Sequence, residues 1–201
     1  MNNIETTLRA SGIHLVAGVD EAGRGPCAGP LVIAAVILKD PFSEALARDR
    51  DSKELSEKVR EELFPIIQEE TVAFSIIEFA PEEIDRLGLH KCNIEGMRRA
   101  VASLAVTPDY VLTDGYPIEG IDIPNLAVWK GDQVAISISA ASILAKVHRD
   151  RAMVELDAQY PQYGFAQHKG YITAAHTAAL QAHGPCAEHR KSFANIAALL
   201  Q

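Results

Sequence analysis

The sequence predicts an α/β fold in which a mixed sheet is flanked by helices and the C-terminal part of the chain is helical. Strand patterns dominate the first half of the chain and helix patterns the second. Short runs rich in β-branched residues predict strands at 14–19, 31–38, 71–79, 110–113 and 126–129. Capping signals and apolar residues at helical spacing predict helices at 56–70, 81–87, 90–104, 137–160, 173–182 and 188–200.

Local sequence supports each element in turn. The first two strands are separated by the segment GRGPCAGP, whose glycines and prolines predict a hairpin with an elaborate turn. The first helix opens at Ser56, a residue type that caps helices, and Pro65 is expected to kink or split it. Apolar residues then recur at helical spacing from Ile94 to Leu104. The helix at 137–160 is apolar on one face early and charged later.

The chain of 201 residues has the size of one domain, and no repeat or flexible linker divides it. We therefore expect residues 1–201 to form a single domain with a helical C-terminal segment at about 173–201. Hydrophobic residues make up 48% of the chain, but no stretch is long and apolar enough to span a membrane. The N-terminus lacks the features of a secretory signal, so we expect a cytoplasmic protein.

The three cysteines and the net charge narrow the function classes further. Cys27, Cys92 and Cys186 form no CxxC pair, which argues against a zinc site or a disulfide framework and predicts free thiols. The net charge of −8 argues weakly against a nucleic-acid partner. Residues 141–201, however, hold 6 basic against 4 acidic residues, whereas residues 1–140 hold 13 against 23. The last third of the chain can therefore present a local basic surface.

Four acidic residues are candidates for a catalytic site. Asp20 and Glu21 directly follow the first apolar strand and precede a glycine-rich turn, where the backbone can approach a ligand closely. Asp114 ends another apolar strand, and Asp132 precedes the long helix. Singly, each is typical of a turn or a helix cap. Together they predict a carboxylate cluster, because strand ends bring distant residues to one edge of a sheet.

Such a cluster requires cations. Two unit negative charges ~5 Å apart repel each other by about 3 kcal/mol at an effective dielectric constant of about 20. Oxygen ligands without His or Cys favour Mg²⁺ or Mn²⁺ over zinc. A two-ion site would activate water with one metal and stabilise the leaving oxygen with the other.

Other candidate motifs in the sequence do not have the residue spacing that their functions require. The glycines at 23, 25 and 29 are interrupted by Pro26 and do not match a dinucleotide-binding fingerprint. Ser142 and Lys146 are four residues apart, whereas the acyl-transfer motif requires three, so Lys146 is better explained as a surface or phosphate-facing cation. The seven histidines form no HExxH motif.

Several blocks occur in the order of a known family. They are GVDEAGRGPCAGPLV at 18–32, DSKELSEKVREELF at 51–64, VLTDG at 111–115, KGD at 130–132, SISAASILAKVHRDRAM at 137–153, and YPQYGFAQHKGY at 160–171 followed by HGPCAEHRKSF. From about residue 13 to 193 the chain closely resembles ribonuclease HII, the bacterial type 2 ribonuclease H. Cys27 in the turn and Ser139, where the family more often has Ala, are small departures that affect no expected ligand.

The resemblance implies an RNase H-like fold whose mixed sheet begins with three antiparallel strands. It also implies a metal-dependent endonuclease that cleaves the RNA strand of RNA–DNA hybrids and incises on the 5′ side of single ribonucleotides in duplex DNA, leaving 5′-phosphate and 3′-hydroxyl ends. The cofactor would be Mn²⁺ or Mg²⁺. By position, the catalytic and metal-binding acids would be Asp20, Glu21, Asp114 and Asp132.

The resemblance assigns further residues to the substrate. Gly23, Arg24 and Gly25 match the segment whose backbone senses the ribose 2′-OH, the group that distinguishes RNA from DNA. Tyr171 matches the aromatic residue that packs on the sugar at the RNA-to-DNA junction. Asp150, a nearby acid, is interpreted as an ion-pair partner. Residues expected to contact phosphate are Lys53, Lys146, Lys169 and Arg190.

Two other functions use the same acids and stay open at this point. One is a protein that binds hybrids through a non-catalytic cluster, and the other is a small-molecule phosphate hydrolase, although nothing in the sequence resembles a phosphomonoester pocket. The expected partners are RNA–DNA hybrid and ribonucleotide-containing duplex DNA. No apolar heptad or exposed stripe predicts an obligate protein partner, so we expect a monomer.

Overall fold

The structure is a computed structural model that describes residues 4–46 and 55–201. Lys53, one of the expected phosphate contacts, lies outside the described residues. The strands are β1 (Val16–Ala22), β2 (Leu31–Leu38), β3 (Thr71–Phe79), β4 (Tyr110–Asp114) and β5 (Asn125–Val128). The helices are α1 (Ile4–Ala10), α2 (Glu57–Glu69), α3 (Pro81–Leu87), α4 (Leu89–Ala102), α5 (Ile136–Gln159), α6 (Phe165–His168), α7 (Ala174–His183) and α8 (Ala194–Ala197).

The five strands form one mixed sheet in the order β3-β2-β1-β4-β5. β1, β2 and β3 pair antiparallel, whereas β1 pairs with β4 and β4 with β5 in parallel. This arrangement confirms the predicted α/β fold with three antiparallel leading strands, and the pairing of β1 with β2 confirms the predicted hairpin.

The strand β2 lies at the centre of the core, and all eight of its residues are buried. Successive side chains on a strand point to opposite faces of the sheet. Val32, Ala34 and Val36 therefore pack in the core on the α5 side, and Ile33 and Ile37 pack on the α4 side. Burial on both faces explains why this segment is a continuous apolar run.

Of the two effects expected of Pro65, a kink or a split, the split does not occur. α2 continues through this proline as one helix, and Ser56 caps its start by accepting a hydrogen bond from the Val59 N–H at 3.3 Å. Leu63 and Ile67, on either side of the proline, are both fully buried. Burial of the apolar face therefore holds the helix together across Pro65.

The predicted helix at 188–200 is also wrong over most of its length, because only α8 is helical. His189 instead forms an isolated β-bridge with Ala28, and the Arg190 N–H donates to the Cys27 carbonyl oxygen at 2.9 Å. These backbone groups hold the glycine-rich segment between β1 and β2 and are not available for a helical turn. Among the described residues, no helix is both long and apolar enough to cross a membrane.

Gly18 of β1 marks the closest approach between the sheet and α5. A Cβ at this position would lie 2.0 Å from the Ser137 carbonyl carbon and 2.3 Å from the Ile138 nitrogen. Both are backbone atoms at the start of α5, so the steric clash could be relieved only if the helix moved. At Gly96 of α4, in contrast, a Cβ would lie 2.4 Å from Cδ1 of Ile33, the far end of a flexible side chain.

We predict that Gly18→Ala lowers the free energy of unfolding by about 3 kcal/mol or more, because it overpacks a rigid contact. Gly96→Ala should cost at least about 2 kcal/mol less, since Ile33 can change its rotamer and alanine favours the helix. Urea unfolding followed by circular dichroism measures both values. Equal losses in the two variants would contradict the proposed rigidity of the β1–α5 contact.

Candidate active site

The parallel pairing of β1 with β4 brings two of the predicted acids together. Val19 lies opposite Thr113 in the register, so Asp20 and Asp114 are the next residues on neighbouring strands. Parallel strands end at the same edge of a sheet, and this edge is where both carboxylates lie. Asp20 is buried, and its Oδ1 accepts a hydrogen bond from the Glu21 N–H at 2.7 Å.

β1 does not end before the acids, as the sequence led us to expect, but continues to Ala22. Asp20 and Glu21 are therefore on opposite faces of the sheet. Asp20 lies on the α5 side beside Ser142, and Glu21 lies on the α4 side beside the fully buried Asn93. The site therefore extends around the edge of the sheet, from the face that packs on α5 to the face that packs on α4.

Asp132 reaches the site through a turn that follows β5. Trp129 begins this turn with 81% of its surface exposed, and Lys130 adopts a left-handed conformation with φ 53°. The Gly131 N–H then donates to Oδ1 of Asp114 at 2.8 Å. This hydrogen bond fixes the turn against β4 and places the exposed Asp132 next to Asp114.

Burial and mutual repulsion perturb the carboxylates. Burial raises the pKa of Asp20 well above its usual value, and the negative charges of Glu21 and Asp114 raise it further. Burial also raises the pKa of Glu21, against the opposing effect of Arg24. The side chain of Asp132 is exposed at the cavity, but the protein atoms around it still remove part of its hydration. This desolvation raises the pKa of Asp132, and the charge of Asp114 raises it further. Three of the acids thus lie in environments that disfavour their negative charge.

A cavity of about 430 Å³ opens beside these acids. It brings together seven of the predicted site residues, namely Glu21, Gly23, Arg24, Gly25, Asp132, Lys146 and Tyr171. Asp20 and Asp114 lie behind this surface. The other polar residues in the lining were not among the predicted site residues; they are Arg60, Ser139, Ser142 and Arg149.

The glycine-rich turn and Tyr171 lie next to each other in the lining of the cavity. A Cβ on Gly25 would lie 3.5 Å from Cε1 of Tyr171, an ordinary van der Waals contact. Tyr171 is 49% exposed, so its ring is accessible. Arg24 pairs with the Glu21 carboxylate at 3.3 Å, and its guanidinium also lies 4.6 Å from the centre of the Tyr116 ring.

The basic residues have different environments. Lys146 lines the cavity, and its ammonium pairs with Asp150 at 2.5 Å. Asp150 also lies 3.8 Å from Arg60, so it is an ion-pair partner as predicted, but of these cations and not of its sequence neighbours. Lys169 does not line the cavity. Its ammonium lies 3.5 Å from the Glu57 carboxylate and donates to the carbonyl oxygen of Ala166.

The prediction that Arg190 contacts phosphate is wrong, because this residue is fully buried. Its guanidinium donates twice to the Gly29 carbonyl oxygen, at 2.9 and 3.1 Å, and once to that of Arg24. Burial and the nearby Arg149 lower the pKa of Arg190 to about 9, so the group is still a cation at neutral pH. Arg190 is a structural residue of the glycine-rich segment.

Arg149 has the same structural role. Its guanidinium donates to the carbonyl oxygens of Pro30, Ala28 and Lys169 at 3.0 to 3.1 Å. A Cβ on Gly23, whose φ is +99°, would lie 2.2 Å from Nε of Arg149. Two buried cations therefore hold carbonyl oxygens of the turn and fix its backbone.

A histidine cluster packs beneath the same turn. Nε2 of His176 lies 3.0 Å from Nε2 of His189, and the His176 ring stacks on His168 at 4.2 Å. Cys27 is buried nearby, with its Sγ 3.5 Å from the Gly170 carbonyl oxygen. Burial, followed by the effect of His176, lowers the pKa of His189 to about 4. His189 is therefore neutral in the folded protein at pH 7. All three cysteines are free thiols, as predicted.

The donor set fits a divalent cation. The four acids supply only oxygen ligands, and Oε2 of Glu21 is buried without a hydrogen-bond partner among the described residues. A cation would relieve the repulsion that raises the pKa of Asp20. In the described part of the chain, no three Asp, Glu, His or Cys side chains are already grouped closely enough to hold a metal ion. The acids that fit this role are adjacent, but not preassembled.

Comparisons with known proteins agree with this architecture. A family model described as ribonuclease HII matches residues 17–196. The ribonuclease HII of Rhodococcus opacus (strain B4) is 58% identical over 200 residues, which cover 100% of this chain and 88% of that protein. Among solved structures, the ribonuclease H2 of Pyrococcus horikoshii OT3 is 28% identical, with a TM-score of 0.79 over 92% of this chain and 96% of that one.

A more distant structure, Bst-RNase HIII in complex with Mn²⁺, is 19% identical and shares the fold, with a TM-score of 0.71 over 99% of this chain and 73% of that one. The mixed sheet and the acids at its edge thus define a nuclease of the ribonuclease H class. Because the family model covers most of its length and a relative is 58% identical, the chain belongs to the ribonuclease HII family. It is a ribonuclease H that acts on nucleic acid.

The depressed pKa of His189 predicts a loss of stability in acid. The unfolded chain takes up a proton near pH 6.5 and the folded protein only near pH 4, so the unfolded state binds more protons between these values. The stabilising effect of a neutral His189 is complete above about pH 6.5 and decreases as the pH falls towards 4. At about pH 5 the loss amounts to about 2 kcal/mol.

The measurement is the free energy of unfolding of the wild type and of His189→Gln at about pH 7.5 and about pH 5. The free energy of unfolding of the wild type minus that of the variant should be about 2 kcal/mol smaller at the lower pH. His90→Gln, which changes an exposed histidine, serves as the matched control and should show no such change. If the difference in free energy of unfolding between the wild type and His189→Gln did not depend on pH, this result would contradict a buried, neutral His189.

Proposed function

We propose that this protein hydrolyses the RNA strand of RNA–DNA hybrids and incises duplex DNA on the 5′ side of a single embedded ribonucleotide. The products would carry 5′-phosphate and 3′-hydroxyl ends, with water as the nucleophile. The observation that carries this proposal is the grouping of acids from β1, β4 and the turn after β5 beside a cavity lined by the glycine-rich turn and Tyr171.

Asp20, Glu21, Asp114 and Asp132 would hold the divalent cofactor, Mg²⁺ or Mn²⁺. When bound, two such ions supply an activated water and neutralise charge on the leaving oxygen. The protein contributes the placement of these acids beside one another at one edge of the sheet. The β1–β4 register sets the distance between Asp20 and Asp114, and the Gly131 N–H orients Asp114.

The glycine-rich turn would recognise the ribonucleotide. Gly23 and Gly25 lack side chains, so the backbone N–H groups can approach a 2′-OH closely. Arg149 and Arg190 bind the carbonyl oxygens of the segment and hold its conformation. Tyr171, next to Gly25 in the lining of the cavity, would pack against the sugar that follows the ribonucleotide. Lys146 lines the same cavity and is the best placed of the predicted lysines to contact a phosphate.

The proposal is tested with an end-labelled DNA duplex that contains one ribonucleotide, incubated with and without Mg²⁺ or Mn²⁺ beside an all-DNA duplex. Metal-dependent incision on the 5′ side of the ribonucleotide, with the all-DNA duplex intact, is the expected result. Mass spectrometry of the products identifies the ends. Cleavage of long hybrids alone would refute the junction-sensing roles, and binding without any cleavage would favour the non-catalytic alternative.

We predict that Asp114→Asn lowers cleavage at least about a hundredfold, since even the loss of a residue that only orients a metal ligand typically costs 10- to 100-fold. The fold should be retained, because asparagine keeps the Oδ1 that accepts the Gly131 N–H. Cleavage rates and circular dichroism check both parts. The control is Asp122→Asn, an exposed acid changed in the same way, which should cleave like the wild type. An unfolded Asp114→Asn variant would show instead that this acid is structural.

We predict that Tyr171→Ala lowers incision at a single ribonucleotide about tenfold more than cleavage of a long hybrid, because aromatic packing against one nucleotide is worth about 1–3 kcal/mol. Tyr171→Phe keeps the ring and should retain incision. Because Tyr171 is 49% exposed, neither change should alter the unfolding transition much. The ratio of the two rates in each variant is the measurement, and an equal loss on both substrates would rule out a specific role at the junction.

A further inference from the structure

A second cavity, of about 630 Å³, lies on the α4 side of the sheet and is not used by the chemistry described above. We call it the α4 groove. One wall is formed by His90, Lys91, Ile94 and Arg98 of α4, and the other by Tyr116, Pro117 and the acid Glu119, which follow β4. The active-site cavity is bordered by α5, so the two cavities lie against different helical layers of the protein.

The α4 groove and the catalytic acids are connected by direct contacts. Glu21 points to the α4 side, and Arg24 pairs with its carboxylate at 3.3 Å. The same guanidinium lies 4.6 Å from the centre of the Tyr116 ring, which forms part of the groove. Tyr116 itself is only two residues beyond Asp114. The groove is thus connected to the carboxylate cluster and to the active-site cavity through Arg24, which contacts both Glu21 and Tyr116.

The groove combines positive charge with aromatic and apolar surface. Arg98 and Arg99 share one carboxylate, that of Glu95, at 2.6 and 3.0 Å. Lys91 is exposed and makes no ion pair with any residue in the described ranges. The α4 wall therefore has an excess of positive charge, although residues 1–140 are acidic overall. The ring of Tyr116 meets His90 edge to face, with 5.6 Å between the ring centres.

Cations beside aromatic rings are the features that bind a nucleic-acid strand, since the cations attract phosphates and the rings pack on bases or sugars. We propose that the α4 groove binds the part of the nucleic-acid substrate that extends beyond the cleavage position, with Lys91 at a phosphate and Tyr116 against a base or sugar. This inference rests on the proposed function, because it continues the path of the same substrate. A duplex that crosses the sheet edge at the acids reaches the α5 side at one end and the groove at the other.

The test is equilibrium binding of a fluorescein-labelled duplex with one central ribonucleotide, measured in EDTA so that no metal-dependent cleavage occurs. Affinity is determined between about 50 and 200 mM salt, because each phosphate contact adds about 0.7–0.9 to the slope of log affinity against log salt. Lys91→Ala should reduce the magnitude of this slope by the amount that one phosphate contact contributes, about 0.7–0.9. The control Lys39→Ala removes an exposed lysine that follows β2, at the opposite end of the sheet from the acids, and should leave the slope unchanged.

Tyr116→Leu should weaken binding about tenfold with no change of slope, since packing against a base or sugar is not ionic. Tyr116→Phe keeps the ring and should restore the affinity. Two shortened duplexes, each lacking one arm beside the ribonucleotide, then locate the contact. The effects of Lys91→Ala and Tyr116→Leu should disappear on one of them and persist on the other.

The outcomes separate this inference from the proposed function. A wild type that neither binds nor cleaves hybrid or ribonucleotide-containing duplex overturns both. A wild type that cleaves, with Lys91→Ala and Tyr116→Leu binding all duplexes as the wild type does, overturns only the α4 groove. Effects that persist equally on both shortened duplexes also overturn it, because they show that the residues do not contact an arm of the substrate.

Discussion

The site depends on the parallel pairing of β1 with β4. This register makes Asp20 and Asp114 neighbours, and every other part of the site is organised around them. The pairing is costly in isolation, because it brings negative charges together where burial already disfavours them. The hydrophobic cores on both faces of the sheet supply the compensating stability. The fold thus holds an arrangement of like charges that a divalent cation can neutralise.

The glycine-rich segment is positioned by cations that never reach the substrate. Arg149 comes from α5 and Arg190 from the segment before α8, and both bind carbonyl oxygens of one turn. Buried cations of this kind destabilise a fold unless their hydrogen bonds are made, so their geometry is strongly constrained. The C-terminal segment therefore contributes to the site by fixing the turn, while the residues that face the cavity come from elsewhere in the chain.

Much of the fold was predictable because it follows from local patterns. The bounds of β2 and β3 agree with the predicted strands, since both are set by short apolar runs between turn signals. Residues 188–193 were misassigned because many of their hydrogen bonds go to Cys27, Gly29 and Asp85, at least 106 residues away, and no local pattern records such contacts. Arg190 was taken for a phosphate contact for the same reason. The acids, in contrast, were recognisable from their places at strand ends and from the family motifs, although the role of each is still a proposal.

The exposure of Trp129 has a spectroscopic consequence. It is the only tryptophan of the chain, and its indole is 81% exposed in the turn that leads to Asp132. An indole already surrounded by water in the folded state changes its surroundings little when the chain unfolds. Intrinsic fluorescence is therefore a poor probe of global unfolding for this protein. The same emission is a local probe of the turn beside Asp132, because a molecule that covers the indole removes water from it and shifts the emission to shorter wavelength.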